Sequence, residues 1–273
     1  MSPSSDSGSL PQAGRDDQDV SGHWLLARLG KRVLRPGGIE LTRALLTAAE
    51  VTDADVVEFA PGLGRTAGEI IDRRPRSYTG VEKDPVAART ADPVVEGHGE
   101  IRIADAADSG LPSRSVDVVV GEAMLTMQTD RAKAAIIAEA ARLLRPGGRY
   151  AIHELALTPD DLPDDVKTTV RRQLARSIKV NARPLTLVEW RLLLAAHGLV
   201  VDQVDTAPMA LLEPRRLISD EGVLGAARFV GRLLARPDAR HRVLTMRRTF
   251  RKYRQHLTAI AIVARKPDPT EDA

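Results

Sequence analysis

A chain of 273 residues with 43% hydrophobic and 28% charged side chains can bury a sizeable core, which argues against disorder beyond its ends. It contains no cysteine, so a disulfide framework, a thiolate zinc site and a cysteine nucleophile are excluded. The 40 basic residues stand against 37 acidic ones, and a net charge of +3 does not mark the whole chain as nucleic-acid-binding despite an isoelectric point near 9.4. The longest apolar run, around Ala259 to Ala264, falls far short of the ~18 residues of a membrane span, and no charged-then-apolar signal pattern opens the chain; the expectation is a cytoplasmic protein.

Residues 1–20 are rich in Ser, Pro, Asp and Gln without apolar periodicity, and a disordered tail is expected there. Trp24, Leu25, Leu29, Val33 and Leu34 then fall at helical spacing over 23–34, and a second amphipathic pattern over 39–49 follows Arg35-Pro-Gly-Gly38, so 21–50 reads as N-terminal cap helices. A β-branched run over 53–59 ends in glycines. Beyond it the patterns alternate: helix 66–73, strand 78–81, a short helix after Pro85, strands 100–103 and 116–120, a helix with Asp130 as N-cap, and strand 149–152. Thr186-Leu-Val-Glu189 is a capping box opening a helix that closes at Gly198; strands follow over 199–204 and 257–264, with a mostly helical insertion over 208–256. Such alternation predicts an α/β fold, a doubly wound and mostly parallel sheet with helices on both faces.

Val56-Val-Glu-Phe-Ala-Pro-Gly62-Leu-Gly64-Arg-Thr-Ala67 spells a strand, a glycine turn and a helix start, which lets backbone N–H groups approach a nucleotide or carboxylate. Gly62, Gly64 and Ala67 also satisfy the dinucleotide spacing G-x-G-x-x-A, and Glu82 stands about 20 residues on, where a carboxylate can grip both hydroxyls of a ribose. An NAD-dependent oxidoreductase and an enzyme using another ribose-bearing cofactor are both open on these residues alone.

The remaining motifs, in chain order, resemble the class I methyltransferases, with their Rossmann-like seven-stranded sheet, over residues 50–155. Glu58 takes the place of that family's first-strand acid. Ala60, Gly62 and Gly64 fall on its three-glycine loop, with alanine where the first glycine stands. Ile103-Ala-Asp105-Ala106 is similar to its third-strand loop, Leu111-Pro112 and Asp117-Val-Val119 to its Leu-Pro-x-x-x-x-Asp-Val-Val signature, and Leu143-Leu-Arg-Pro-Gly-Gly-Arg-Tyr150 to its later helix-turn-strand. The resemblance implies S-adenosylmethionine as cofactor and a seven-stranded sheet, with 51–157 as the cofactor-binding half, 158–266 as the substrate-side half and 267–273 as a flexible tail. It also implies that Asp105 takes the adenine amine while the Ala106 N–H faces the ring. Glu122, at the ligand-bearing end of the fourth strand, joins the expected cofactor set. His153 and Glu154 are the candidate catalytic residues at the pocket mouth, His153 to accept a proton from an acceptor hydroxyl or amine. His23 and Trp24 are candidates for a lid.

The segment Val120-Gly-Glu-Ala-Met124 lacks the Asn/Asp-Pro-Pro-Tyr/Phe tetrapeptide of amino-group methylation on adenine or glutamine, which disfavours those substrates. The insertion carries Arg232, Arg236, Arg240, Arg242, Arg247, Arg248, Arg251, Lys252 and Arg254, with Asp238 as the one acid among them. That run reads as a solvated helix face, as a site for an anionic small molecule, or as an RNA surface; with only Phe250 and Tyr253 interleaved, nucleic acid is disfavoured. The six histidines lack ligand spacing, so no metal is expected. The reading is a methyltransferase for a small-molecule acceptor, with an RNA methyltransferase and an NAD-dependent oxidoreductase as alternatives.

Overall fold

The computed structural model describes residues 10–268. Its strands are β1 (Asp55–Phe59), β2 (Ser77–Glu82), β3 (Glu100–Ile103), β4 (Val116–Glu122), β5 (Leu144–Leu157), β6 (Leu185–Thr186), β7 (Val200–Pro208) and β8 (Leu257–Arg265). They form one sheet in the order β3-β2-β1-β4-β5-β8-β7, and the two-residue β6 pairs with the end of β5. The run from β3 to β5 is parallel, whereas β8 lies antiparallel between β5 and β7. The expected doubly wound, mostly parallel seven-stranded sheet is present, with β6 as a short addition.

The helices are α1 (Gly22–Arg28), α2 (Gly38–Ala48), α3 (Arg65–Ile71), α4 (Pro85–Val95), α5 (Asp130–Leu143), α6 (Asp164–Ile178), α7 (Leu187–Ala195), α8 (Pro214–Ala235) and α9 (Pro237–Lys252). Strand side chains alternate between faces, and this decides which helix each one meets. Val56, Val118, Val120 and Ala151 pack with Leu41, Leu45, Ala67 and Ile70 of α2 and α3. Their neighbours Val57, Val119 and Ile152 pack on the other face with Ile136, Ile137 and Trp190 of α5 and α7. A separate cluster, including Leu25, Leu26, Leu174, Phe229, Met246 and Phe250, joins α1, α6, α8 and α9 over the ends of β5 and β8.

Several boundaries differ from the sequence expectation for reasons of distant packing. Helix α1 stops at Arg28 rather than near 34, because the N–H groups of Arg32 and Val33 donate to the Glu221 carboxylate on α8 at 2.8 and 2.9 Å. Thr129, not Asp130, caps α5, its Oγ1 accepting from the Ala132 N–H at 3.2 Å, while Asp130 sits in the first turn. Strand β5 runs through the Arg-Pro-Gly-Gly segment because Gly147 and Gly148 bond to the backbone of Lys266, the residue after β8. The Thr186–Glu189 capping box forms with both of its bonds. In the expected tail, residues 10–20 form turns held by α1 and α9: Arg28 donates to the Arg15 carbonyl at 2.7 Å, Arg242 donates to the carbonyls of Asp17 and Val20, and Val20 is fully buried. The rest of the two expected tails, residues 1–9 and 269–273, lies outside the described residues.

Candidate active site

A cavity of about 400 Å³ opens at the carboxyl ends of β1, β2, β3 and β4, bounded above by α1, α6 and α9. The turn after β1 approaches it on left-handed backbone: Ala60 has φ 54°, Gly62 φ 58° and Gly64 φ 73°. Glycine adopts this region freely, but alanine pays about 1 kcal/mol for it. The Ala60 N–H donates to the Val81 carbonyl at 2.8 Å, and that of Gly62 to Glu82 Oε2 at 3.1 Å. Gly64 does not line the cavity. A Cβ there would stand 3.0 Å from Val94 Cγ2, so this glycine lets α3 pack on α4.

Glu58 and Glu122 emerge on the α2 face of the sheet and take opposite charge states. Glu58 is 2% exposed, and burial pushes its carboxyl up to about 8; the Tyr78 hydroxyl donates to it at 2.7 Å and pulls the other way, while the negative charge of Glu122 adds to the rise. Burial acts on Glu122 in the same direction. There it is outweighed by the Arg35 charge and by hydrogen bonds from His153 and Thr66, which hold that carboxyl down at about 2. Thr42 Oγ1 also donates to Glu122, at 2.7 Å.

Arg35 lines the cavity and completes this cluster, and sequence reasoning missed it by treating it only as part of a helix terminator. Its Nη1 donates to Glu122 and Thr66, whereas its buried Nε and Nη2 have no hydrogen-bond partner. Nothing local to residue 35 signals the role, since Thr66 and Glu122 reach it from distant parts of the chain.

Glu82 and Asp105 sit at the tips of β2 and β3. Glu82 accepts from the N–H groups of Gly62 and Asp84, and burial raises its carboxyl against those bonds. Asp105 accepts from Lys83 Nζ at 2.6 Å and from the Ala107 N–H at 2.9 Å, and the Lys83 bond leads in holding it below the usual carboxylate range. Ala106 is buried against the same cavity.

His153 and Glu154 are adjacent on β5 and so point to opposite faces. His153 is fully buried and does not line the cavity; Nδ1 lies 2.9 Å from Glu122 Oε1, and Nε2 meets the Pro36 carbonyl. With both ring nitrogens directed at oxygens, neither is left to take a proton from an acceptor. Glu154 borders the cavity but is fully buried, accepting from the N–H groups of Met124, Leu125 and Thr126 at 2.9, 2.7 and 3.1 Å and from Thr126 Oγ1 at 2.6 Å. It therefore holds the loop after β4. His23 and Trp24 do line the cavity, with ring centroids 4.8 Å apart. None of the basic side chains of 232–254 lines it.

The sheet departs from the dinucleotide-binding strand order 3-2-1-4-5-6, because an antiparallel strand is inserted beside β5. A family model described as a methyltransferase domain matches residues 57–152, the span holding the glycine turn, Glu82, Asp105 and Glu122. The chain is a class I methyltransferase that uses S-adenosylmethionine. An uncharacterized protein of Haemophilus influenzae is 31% identical to this methyltransferase over 255 residues, covering 91% of this chain and 99% of the relative, and the two belong to one family. Phosphoethanolamine N-methyltransferase 2 of Haemonchus contortus, solved with S-adenosylmethionine, has a similar fold with a TM-score of 0.68 at 16% identity, covering 90% of this chain and 57% of that one. The [4+2]-cyclase SpnF is similar at a TM-score of 0.66 and 16% identity, covering 89% and 93%. Likeness at that identity speaks for the fold alone. Among the described residues, no group of three or more His, Asp or Glu side chains could hold a metal ion, and no helix is long and apolar enough to cross a membrane.

Proposed function

We propose that this methyltransferase transfers the methyl group of S-adenosylmethionine to a small-molecule acceptor inside the cavity. The observation that carries the reading is the unpartnered Nε and Nη2 of buried Arg35, at the same end of the cavity as Glu58. Two unsatisfied guanidinium N–H groups in a buried wall suit a carboxylate, and a neighbouring carboxyl suits an ammonium; the amino-acid end of the cofactor brings both. Arg35 then takes the carboxylate, Glu58 the ammonium, Glu82 the ribose hydroxyls, and Asp105 with the Ala106 N–H the adenine. The backbone at Ala60 and Gly62 allows the close approach, Gly64 sets the turn from behind, and Glu122 orients Arg35.

When bound, S-adenosylmethionine would supply a methyl group activated by its sulfonium, and the residues named above would hold its amino-acid, ribose and adenine parts. The protein's part is to align the acceptor and exclude water. His153 and Glu154 act as positioning residues, His153 through Glu122 on Arg35 and Glu154 through the loop 124–126. Enclosure beneath α1, α6 and α9 favours a small acceptor over a macromolecule.

Isothermal titration with S-adenosylmethionine, S-adenosylhomocysteine and NADH tests this. Binding of the first two is expected, weakened about tenfold or more by Arg35→Gln, the loss of one charge-assisted pair. Binding of NADH alone, or full affinity in Arg35→Gln, overturns the reading.

A further inference from the structure

The cavity has a second end with a different chemistry. Leu26, Ile178, Met209, Leu211, Met246 and Phe250 form its wall away from the strand tips, and they belong to or pack on the hydrophobic cluster that joins α1, α6, α8 and α9. Leu26, Met246 and Phe250 are 2%, 1% and 8% exposed, so this wall is an inner surface of a core and not a solvated groove. A charge carried against these apolar side chains loses its water, which disfavours it there.

Of the basic side chains that line the cavity, Arg35 donates to Glu122, Arg65 faces Glu69 at 3.4 Å, Lys83 donates to Asp105 at 2.6 Å and Arg32 is exposed to solvent, whereas Arg236, Arg242 and Arg247 do not line it. His23 stands at the edge of this end, and burial lowers its imidazole to about 4, so at neutral pH it is an uncharged hydrogen-bonding group. The thioethers of Met209 and Met246 can adapt to the outline of an apolar body.

We propose that the methyl acceptor is an uncharged lipophilic molecule, with a hydrocarbon or aromatic body that fills this apolar end and a single O–H or N–H group reaching the cofactor end. The proposal rests on the methyltransferase reading of the cavity. It excludes the anionic acceptor that the arginine-rich run suggests in the sequence.

The test is calorimetric titration of the protein saturated with S-adenosylhomocysteine, using 1-naphthol as the uncharged aromatic probe and phosphoethanolamine as the anionic one. Naphthol is expected to bind saturably with a negative heat-capacity change. Met209→Asp, at a half-buried position, is expected to weaken naphthol about tenfold or more while the affinity for S-adenosylhomocysteine changes less than about twofold, and Met209→Leu is expected to bind naphthol as the parent does. Binding of phosphoethanolamine in place of naphthol, no naphthol binding, or naphthol binding indifferent to Met209→Asp overturns the proposal. Failure of S-adenosylhomocysteine to bind the parent protein is a separate outcome, which overturns the reading of the cofactor site and this proposal with it.

Discussion

Glu58 and Glu122 are identical side chains on neighbouring strands, yet one is pushed up to about 8 and the other held down at about 2. The difference lies in partners. Glu122 has a guanidinium, an imidazole and two hydroxyls, whereas Glu58 has the Tyr78 hydroxyl and a nearby negative charge. Because the folded value of Glu58 lies above that of an ordinary carboxyl, the folded protein keeps a proton that the unfolded chain releases. The stability contributed is complete below about pH 4.5 and is lost as pH rises through about 8. Glu58→Gln keeps an acceptor for Tyr78 and removes the titration. Urea unfolding is therefore expected to show the variant gaining on the parent by about 1–3 kcal/mol between pH 5 and pH 8.5; a constant difference across that range would show that Glu58 does not carry the raised value.

At the scale of elements, the loop between β4 and α5 borders the cavity with a single short 3-10 turn, Leu125–Met127. Glu154 anchors that turn by accepting three successive backbone N–H groups and the Thr126 hydroxyl. Glu154→Ala leaves the three buried N–H groups of Met124, Leu125 and Thr126 without that acceptor. The expected loss is about 3 kcal/mol or more in unfolding free energy, with faster hydrogen exchange at Met124 to Thr126 than at the amides of β1. Retained protection at those amides would rule out the anchoring role. This is also where the candidate site was half legible. Residue numbers 153 and 154 mark the ligand-bearing end of β5, but which neighbour turns to α2 and which to the loop follows from strand register, and their partners lie 28 to 117 residues away.

For the molecule as a whole, the helical layer over the cavity is joined to the N-terminal segment by a buried ion pair. Lys31 Nζ lies 2.9 Å from Asp220 and 3.7 Å from Glu221, just before α8 bends at Gly222, whose φ of 72° suits glycine. Both Lys31 and Asp220 side chains are fully buried. Lys31→Met leaves the buried Asp220 carboxylate without its cation, and the expected effect is a loss of about 3–5 kcal/mol with earlier proteolytic cleavage within 208–256 than in the parent. Unchanged stability and cleavage would mean that the pair does not secure the layer.

The parts read correctly from sequence are those whose causes are local. Alternating apolar patterns set the strands and helices, the turn from Ala60 to Gly64 needs left-handed backbone within a few residues, and the Thr186–Glu189 box closes on itself. The family and its cofactor follow from such local motifs in order. Arg35, the pairing of His153 with Glu122, the early end of α1 and the clamp at Lys31 depend on contacts between residues 31 to 189 positions apart, which no local window contains. The arginine-rich run is the same lesson in reverse. Its composition suggested a charged site, but helix packing turns an apolar face of α9 toward the cavity, with Arg242 held by carbonyls and Arg247 by the Glu213 carboxylate elsewhere, so only the tertiary structure decided what lines the pocket.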